Sequence, residues 1–193
     1  MEIEKNINGR NDVESRRLFL KGLVYGSAVA MSGVSGIVSA ASAWNQTPRK
    51  LKFHNLHTEE KLTMTYFEDG QYVSGAMQEI NYLLRDHRSG DVHNMDPKLF
   101  NLLHDLQAML GGNKTFQVIS GYRSPSTNAM LNKNSSGVAT KSLHMLGQAI
   151  DIRIEGVDSK IIQSASMTLK QGGVGYYRKS NFVHVDTGRV RAW

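Results

Sequence analysis

The stretch KSLHMLGQAIDIRIE, residues 141–155, places a histidine in a glycine-containing turn and an aspartate seven positions later in an apolar strand pattern. Side chains alternate between the two faces of a strand, so the three isoleucines of AIDIRI point to one face and Asp151 to the other. A buried carboxylate needs a cation or several hydrogen-bond donors, because desolvation of its charge is costly. The stretch therefore predicts a strand over 149–154 with an apolar core face and a polar site on the opposite face.

The last strand pattern of the sequence has the same design. In NFVHVDTG, residues 181–188, the two valines take the core face, and His184 and Asp186 lie together on the other face. If this strand and the strand of Asp151 are neighbours in one sheet, Asp151 and His184 approach each other. His144 then reaches them from the turn, where a glycine lets the backbone bend.

His144, Asp151 and His184 are the predicted metal ligands. Two imidazoles and one carboxylate suit Zn²⁺, one ion per chain, with the fourth tetrahedral position left for water. Zinc lowers the pKa of its bound water to about 7 and polarises a carbonyl, so the natural chemistry is amide hydrolysis. The alternative interpretation gives each residue an ordinary role: a loop histidine, a carboxylate paired with Arg123 or Arg153, and a hydrogen-bonded strand histidine.

Two further side chains are candidates for catalysis. Asp186 shares the predicted face of His184 and is the carboxylate best placed to act as general base. On that interpretation, Asp186→Asn keeps zinc and loses most turnover. Arg123, in SGYRSP at a strand end, is the candidate cation for the oxyanion that develops at the carbonyl.

The beginning of the sequence has the pattern of an export signal. SRRLFLK at 15–21 precedes a run of apolar and small residues, and Ala41-Ser42-Ala43 fits a signal peptidase site. The run falls short of the roughly 20 apolar positions that a spanning helix needs, so no stable membrane insertion is expected after cleavage. A Sec signal or an uncleaved anchor is the alternative. We predict three segments: a twin-arginine signal peptide over 1–43, a linker over 44–50 and one domain over 51–193.

The composition is that of an ordinary globular protein, with 40% hydrophobic and 21% charged residues. Cysteine is absent, which excludes disulfides, thiolate ligands and cysteine nucleophiles, so any metal must use nitrogen and oxygen ligands. The formal charge of +6 favours an anionic partner. The sequence has no basic helix with interleaved aromatic residues, so nucleic acid is not predicted as a partner, and a monomer is the default.

Period-two alternation predicts strands, and amphipathic runs with capping residues predict helices. The predicted strands are a hairpin around HTEE at 57–60, and then 116–120, 149–154, 174–177 and 182–186. The predicted helices begin at the N-caps Ser74, Asp96, Ser124 and Asp158. This order of elements predicts an α+β fold with a small antiparallel sheet.

Four motifs together resemble the M15-type zinc peptidases, a group of carboxypeptidases and endopeptidases that act on the bacterial cell wall. They are SGYRSPSTN at 120–128, SLHMLGQAIDI at 142–152, GGVGYY at 172–177 and NFVHVDTG at 181–188. With NLHT at 55–58 and the twin-arginine leader, the resemblance is closest to the periplasmic murein endopeptidases of this superfamily. It covers essentially the whole chain after the leader.

The resemblance implies a fold and a set of site residues. The implied fold has helices packed on one side of the sheet and the zinc site on the sheet face. The implied residues are the zinc ligands His144, Asp151 and His184, the substrate or oxyanion residue Arg123, and Ser142 beside the first ligand. Ser142 and Tyr122 are also predicted to line the substrate site, although packing in the core or the sheet is the commoner role of such a tyrosine.

The function that the resemblance implies is zinc-dependent hydrolysis of amide cross-links between peptidoglycan stems in the periplasm, for cell wall growth and remodelling. The expected bond joins two meso-diaminopimelate residues, and the D-Ala to meso-diaminopimelate bond is a second candidate. The alternatives are a D,D-carboxypeptidase and a catalytically impaired wall-binding module. One departure stands out: many relatives carry a catalytic glutamate three residues before the last zinc histidine, where this sequence has Asn181, which cannot abstract a proton.

Overall fold

The computed structural model describes residues 47–135 and 137–193. The predicted signal peptide over 1–43 and the first three positions of the predicted linker lie outside the described residues. The first strand begins at Arg49, so the last two linker positions belong to the sheet. Each helix in the described ranges is too short or too polar to cross a bilayer.

The described residues form one sheet of eight strands, in the spatial order β3-β2-β1-β4-β5-β7-β6-β8. The strands are β1 Arg49–Asn55, β2 Lys61–Glu68, β3 Gln71–Tyr72, β4 Thr115–Ser120, β5 Ala149–Ile154, β6 Gly173–Tyr177, β7 Phe182–Asp186 and β8 Arg191–Ala192. The helices are α1 Ser74–Leu83, α2 Pro97–Met109, α3 Pro125–Asn134 and α4 Ser159–Leu169. The predicted α+β class is confirmed.

The sheet is mixed, so the prediction of a small antiparallel sheet is wrong. β4 pairs with β1 in parallel, and β8 pairs with β6 in parallel. α1 and α2 lie between β3 and β4 in the chain. A long connection of this kind lets β4 start at the same end of the sheet as β1 and run parallel to it. Residue alternation indicates a strand and its faces, but it carries no information about which strand is the neighbour or in which direction it runs.

One face of the sheet carries the hydrophobic core. α1, α2 and α4 contribute to the same cluster of buried side chains as β1, β4, β5 and β7. The buried residues of α3 are polar, Thr127 and Asn128, and Asn128 donates to the backbone carbonyls of Ala139 and Thr140 in the following loop. The central apolar residues of the strands are Leu51, Phe53, Phe116, Val118, Ile150, Ile152, Ile154, Val183 and Val185.

Three of the four predicted helix caps are confirmed. Asp96, Ser124 and Asp158 each accept a hydrogen bond from a backbone N–H of the first turn of α2, α3 and α4. Ser74 is the first residue of α1 and not its cap. The N–H of Val73 still donates to the carbonyl of Tyr66, at 2.9 Å, which keeps the chain extended up to that point.

Candidate metal centre

Asp151 and His184 are direct partners across the antiparallel pair β5 and β7. Both side chains lie on the sheet face opposite the core, where directly paired residues are within contact distance. Oδ1 of Asp151 is 2.9 Å from Nδ1 of His184. The two residues are buried, with 6% and 7% of their surface exposed, so the carboxylate is removed from bulk water and paired.

His144 reaches this pair from a short 3₁₀ turn, Leu143–Leu146. Ser142 caps the turn, and its hydroxyl accepts a hydrogen bond from the N–H of His144. Gly147 ends the turn with φ of 65°, and a Cβ at this position would lie 2.5 Å from the carbonyl oxygen of Asn94. Only glycine therefore fits where the turn enters β5.

The three side chains converge as a metal-binding set. Nε2 of His144 lies 3.2 Å from Nδ1 of His184 and 3.3 Å from Oδ1 of Asp151. Ligand atoms held by zinc at about 2.0–2.1 Å in a tetrahedron are roughly 3.3 Å apart, so these separations fit such an ion. The described residues contain one cluster of this kind, and it has the composition predicted from the sequence.

The outer nitrogen of each imidazole is already bound. Nδ1 of His144 donates to the carbonyl of Gly121 at 2.7 Å, and Nε2 of His184 donates to Oδ2 of Asp186 at 3.0 Å. A neutral imidazole that donates through one nitrogen keeps the lone pair of the other free. Both inner nitrogens can therefore act as ligands, with the outer contacts orienting the rings as is usual around bound metals.

The electrostatics of the cluster favour a positive charge at its centre. Burial lowers the pKa of His184, but the hydrogen bonds to Asp151 and Asp186 outweigh it and raise that pKa to about 9. Burial also raises the pKa of Asp151, and the opposing interactions with His144 and His184 hold it well below its usual range. The carboxylates therefore favour a positive charge at this point of the cluster, which is the second ring proton of His184 without a metal and the ion itself when a metal displaces that proton.

Asp186 lies behind His184 and is fully buried. In addition to His184 it accepts hydrogen bonds from both terminal nitrogens of Arg191, at 3.0 and 2.7 Å, and from the backbone N–H groups of Gly173 and Gly188. Burial raises the pKa of Asp186, and these donors outweigh burial and lower it. A carboxylate with this many donors suits the orientation of His184 better than the predicted role of general base.

Arg123 lies beside the ligands with part of its hydrogen-bonding capacity unused. Its Nη2 is 3.8 Å from Oδ2 of Asp151, and its terminal nitrogens make only long bonds to Asn128 and Ser120, at 3.3 and 3.4 Å. Its Nε is buried and has no partner among the described residues. The backbone N–H of Arg123 donates to the carbonyl of His144, which ties the cation to the metal ligand.

The loop that carries Arg123 is fixed from both sides. The N–H of Tyr122 donates to the carbonyl of Leu84 at 2.8 Å, and the N–H of Ser124 donates to Oδ2 of Asp86 at 2.9 Å. A Cβ on Gly121 would lie 2.5 Å from the oxygen of Leu84, so glycine is needed for this close approach. The arginine is thus presented by a rigid loop.

The other predicted site residues have different surroundings. Ser142 lines the cleft above the ligands, whereas Tyr122 is half-buried with its ring stacked on His93 at 4.7 Å between centroids. Asn181 is in the turn after β6, with φ of 50°, and its side-chain oxygen accepts a hydrogen bond from Ser159 at 2.6 Å. The side chain of Asn181 is therefore directed at the start of α4.

A cleft of about 550 Å³ opens over the three ligands. Its lining comes from the ligand set with Arg123, from the loop before the 3₁₀ turn, and from β6, β7 and β8. The lining residues that sequence reasoning missed include the large side chains Lys141, Tyr177, Arg191 and Trp193. The spaced glycines of GGVG at 172–175 were the available signal, because glycine on one face of a strand admits a neighbouring side chain.

Two imidazoles and a carboxylate below an open cleft, on the face of an α+β sheet, are a donor set that can hold a divalent metal ion with one coordination position left open. The family model described as Peptidoglycan L,D-endopeptidase MepK, of the M15 peptidases, matches residues 43–193. The chain belongs to this family and is a peptidase, which confirms the resemblance drawn from the motifs.

Individual relatives show the same similarity over nearly the whole chain. The Peptidoglycan L,D-endopeptidase MepK of Escherichia coli (strain K12) is 40% identical over 183 residues, which cover 94% of this chain and 98% of the relative. The Probable peptidoglycan L,D-endopeptidase MepK of Haemophilus influenzae is 42% identical over 177 residues, covering 91% and 92%. The Peptidoglycan L,D-endopeptidase MepK of Shigella flexneri is also 40% identical over 183 residues.

Proposed function

We propose that this protein is a zinc-dependent murein endopeptidase that hydrolyses amide cross-links between peptidoglycan stem peptides. The observation that carries the proposal is the convergence of one atom each from His144, Asp151 and His184, with separations of 2.9–3.3 Å. The outer nitrogens of both rings are engaged, so the inner ones are available to one metal ion per chain. Membership of the family supports peptidoglycan as the substrate.

The bond that we propose is the one between two meso-diaminopimelate residues, which joins an L centre of one stem to a D centre of the next. The relatives are named L,D-endopeptidases, and this name supports the choice. The D-Ala to meso-diaminopimelate bond joins two D centres and is the second candidate.

The charge of the cleft supports an anionic substrate. Arg123, Lys141 and Arg191 line it, whereas the single acidic residue of its described lining is the ligand Asp151. Stem peptides carry free carboxylates, which such a lining attracts and orients. We propose the periplasm as the location, with export by the twin-arginine route, as the SRRLFLK motif supports.

Each residue of the site has a distinct task in the proposed reaction. When bound, zinc supplies a Lewis acid for the scissile carbonyl and lowers the pKa of water. Arg123 directs its unused N–H groups to the oxygen that becomes negative as the carbonyl is attacked. The carbonyl of Gly121 and the carboxylate of Asp186 hold the two imidazoles in the tautomers that ligation requires.

The reaction is tested with the purified zinc-loaded protein and defined muropeptides. Cross-linked dimers with the meso-diaminopimelate bond are expected to become monomers, and a chelator is expected to stop the reaction. Mass spectrometry of the products identifies the bond cut. Loss of a terminal D-Ala from monomers would instead indicate a D,D-carboxypeptidase, and binding without products would indicate a wall-binding module.

Asp186→Asn distinguishes an orienting carboxylate from a general base. If Asp186 orients His184, zinc affinity falls about 10- to 100-fold and excess zinc restores most of the turnover. If Asp186 is the base, zinc is retained and turnover stays low at saturating zinc. The measurements are zinc titration and kcat at several zinc concentrations. Asp158→Asn, at the exposed cap of α4, is the matched control and is expected to change neither.

A further inference from the structure

The strand β8 extends the sheet beside β6 and brings two long side chains onto the face of the metal ligands. The pairing is parallel, with Arg191 opposite Gly173. It continues past β8, because the N–H of Trp193 donates to the carbonyl of Val174 and the carbonyl of Trp193 accepts from Tyr176, at 3.2 and 3.0 Å. The backbone of Trp193 is therefore held as firmly as a strand residue.

The indole of Trp193 occupies space that glycine leaves open beside a metal ligand. Gly175 is the direct partner of His184 across β6 and β7. A Cβ on Gly175 would lie 2.6–2.9 Å from three atoms of the indole, so any larger residue would displace the ring. The centroids of the Trp193 and His184 rings are 5.3 Å apart.

Other contacts fix the orientation of the indole without covering it. Its Nε1 donates to the hydroxyl of Tyr177 at 3.1 Å, and the guanidinium of Arg191 lies 4.8 Å from the ring centroid. Arg191 is itself bound to Asp186, so the same cation links the indole to the residue behind His184. Trp193 nevertheless remains 50% exposed and lines the cleft.

We propose that Trp193, seated on Gly175, is a specificity-determining residue that packs its exposed surface against the aliphatic part of the stem peptide. This inference rests on the proposed function and extends it. A rigid aromatic ring beside the reacting centre offers a large apolar contact at small entropic cost, while the cations of the cleft take the carboxylates of the same substrate. An indole that served only to fill the fold would not need to stay half exposed at the edge of the cleft.

The experiment measures steady-state hydrolysis of the cross-linked muropeptide dimer by Trp193→Ala. KM is expected to rise about tenfold or more, with kcat within about threefold and zinc content unchanged, because a binding contact is lost and the metal site is not. Trp193→Phe is expected to restore much of the affinity. Gly175→Ala is expected to raise KM as well, because it displaces the indole without removing it.

Tyr82→Ala is the matched control. Tyr82 is also a half-exposed aromatic residue, 52% exposed and stacked on an arginine, but it is on α1 and outside the lining of the cleft. Its substitution is expected to leave KM unchanged. Parental KM in Trp193→Ala, or a fall of kcat with KM unchanged, would overturn the inference.

Failure of the proposed function would be recognised separately. Trp44→Phe leaves Trp193 as the single tryptophan, so its fluorescence reports binding of the same dimer without turnover. If the parent protein cuts no cross-link, the proposed function fails. A saturable change of Trp193 emission would still support packing of Trp193 against the stem peptide. No change of Trp193 emission at millimolar concentrations of the muropeptide dimer would overturn the inference about Trp193.

Discussion

Asp151→Asn is expected to abolish stoichiometric zinc binding and to lower hydrolysis of cross-linked muropeptides about a thousandfold or more. The asparagine has almost the same shape, so it fits the space between β5 and β7, but it supplies no negative charge to the centre of the cluster. Oδ1 of Asp151 is the atom that both histidine nitrogens face, at 2.9 and 3.3 Å. Its loss leaves two neutral imidazoles, which hold zinc weakly.

Zinc per chain after gel filtration is the direct measurement, and thermal unfolding is the readout that needs no activity. Zinc bound to the folded state stabilises it by about 2.7 kcal/mol at a hundredfold excess over the dissociation constant. The parent protein is therefore expected to melt higher with zinc, and Asp151→Asn at one temperature with or without it. Asp158→Asn should behave as the parent. One tightly held zinc per chain in Asp151→Asn would contradict the assignment of the ligands.

Arg123→Ala is expected to lower kcat about 10²- to 10³-fold while zinc content stays at one per chain, as for the loss of an oxyanion donor. The side chain lines the cleft with Nη2 at 3.8 Å from Oδ2 of Asp151, and its terminal nitrogens make only long hydrogen bonds to Asn128 and Ser120, so they can turn to a substrate. Burial lowers the pKa of Arg123 and Asp151 opposes this, and the group stays charged because an arginine pKa begins so high. The charge is therefore present at every pH at which the enzyme would work.

Arg123→Lys separates charge from geometry. Lysine keeps the positive charge near Asp151 and lacks the planar fork, so partial recovery of kcat is expected. Arg85→Ala is the control, since Arg85 pairs with Glu60 at 2.8 Å and is not part of the cleft lining. Parental kcat in Arg123→Ala would exclude a role in the reaction, and loss of zinc in that variant would show that Arg123 acts through Asp151.

Local patterns in the sequence were sufficient for much of the fold. The caps Asp96, Ser124 and Asp158 mark helix starts because their side chains bond backbone groups only two or three residues away. The strand 149–154 was predicted with its observed bounds, because alternation between apolar and polar residues depends only on neighbours along the chain. Such signals stay valid whatever the rest of the chain does.

The candidate site could be predicted as far as it depends on local patterns of this kind. Asp151 and His184 could be assigned to the face opposite the core from alternation alone, and His144 followed from its glycine-containing turn. The surroundings of Asp186 could not be predicted, because they depend on donors from Arg191 in β8 and from the backbone N–H of Gly173 in β6, in addition to the nearby N–H of Gly188. The direction of Asn181 likewise depends on Ser159, a residue of a helix that precedes it by one strand.

By itself, then, the sequence determined which residues lie on which face, where helices begin, and which three side chains can share a metal ion. The tertiary structure decided the order and direction of the strands, the hydrogen-bond partners of Asp186, and the packing of Trp193 on Gly175 beside His184. The physical reason is range: faces and caps follow from bonds within a few residues, whereas pairing and side-chain contacts depend on which distant segments meet when the core is buried.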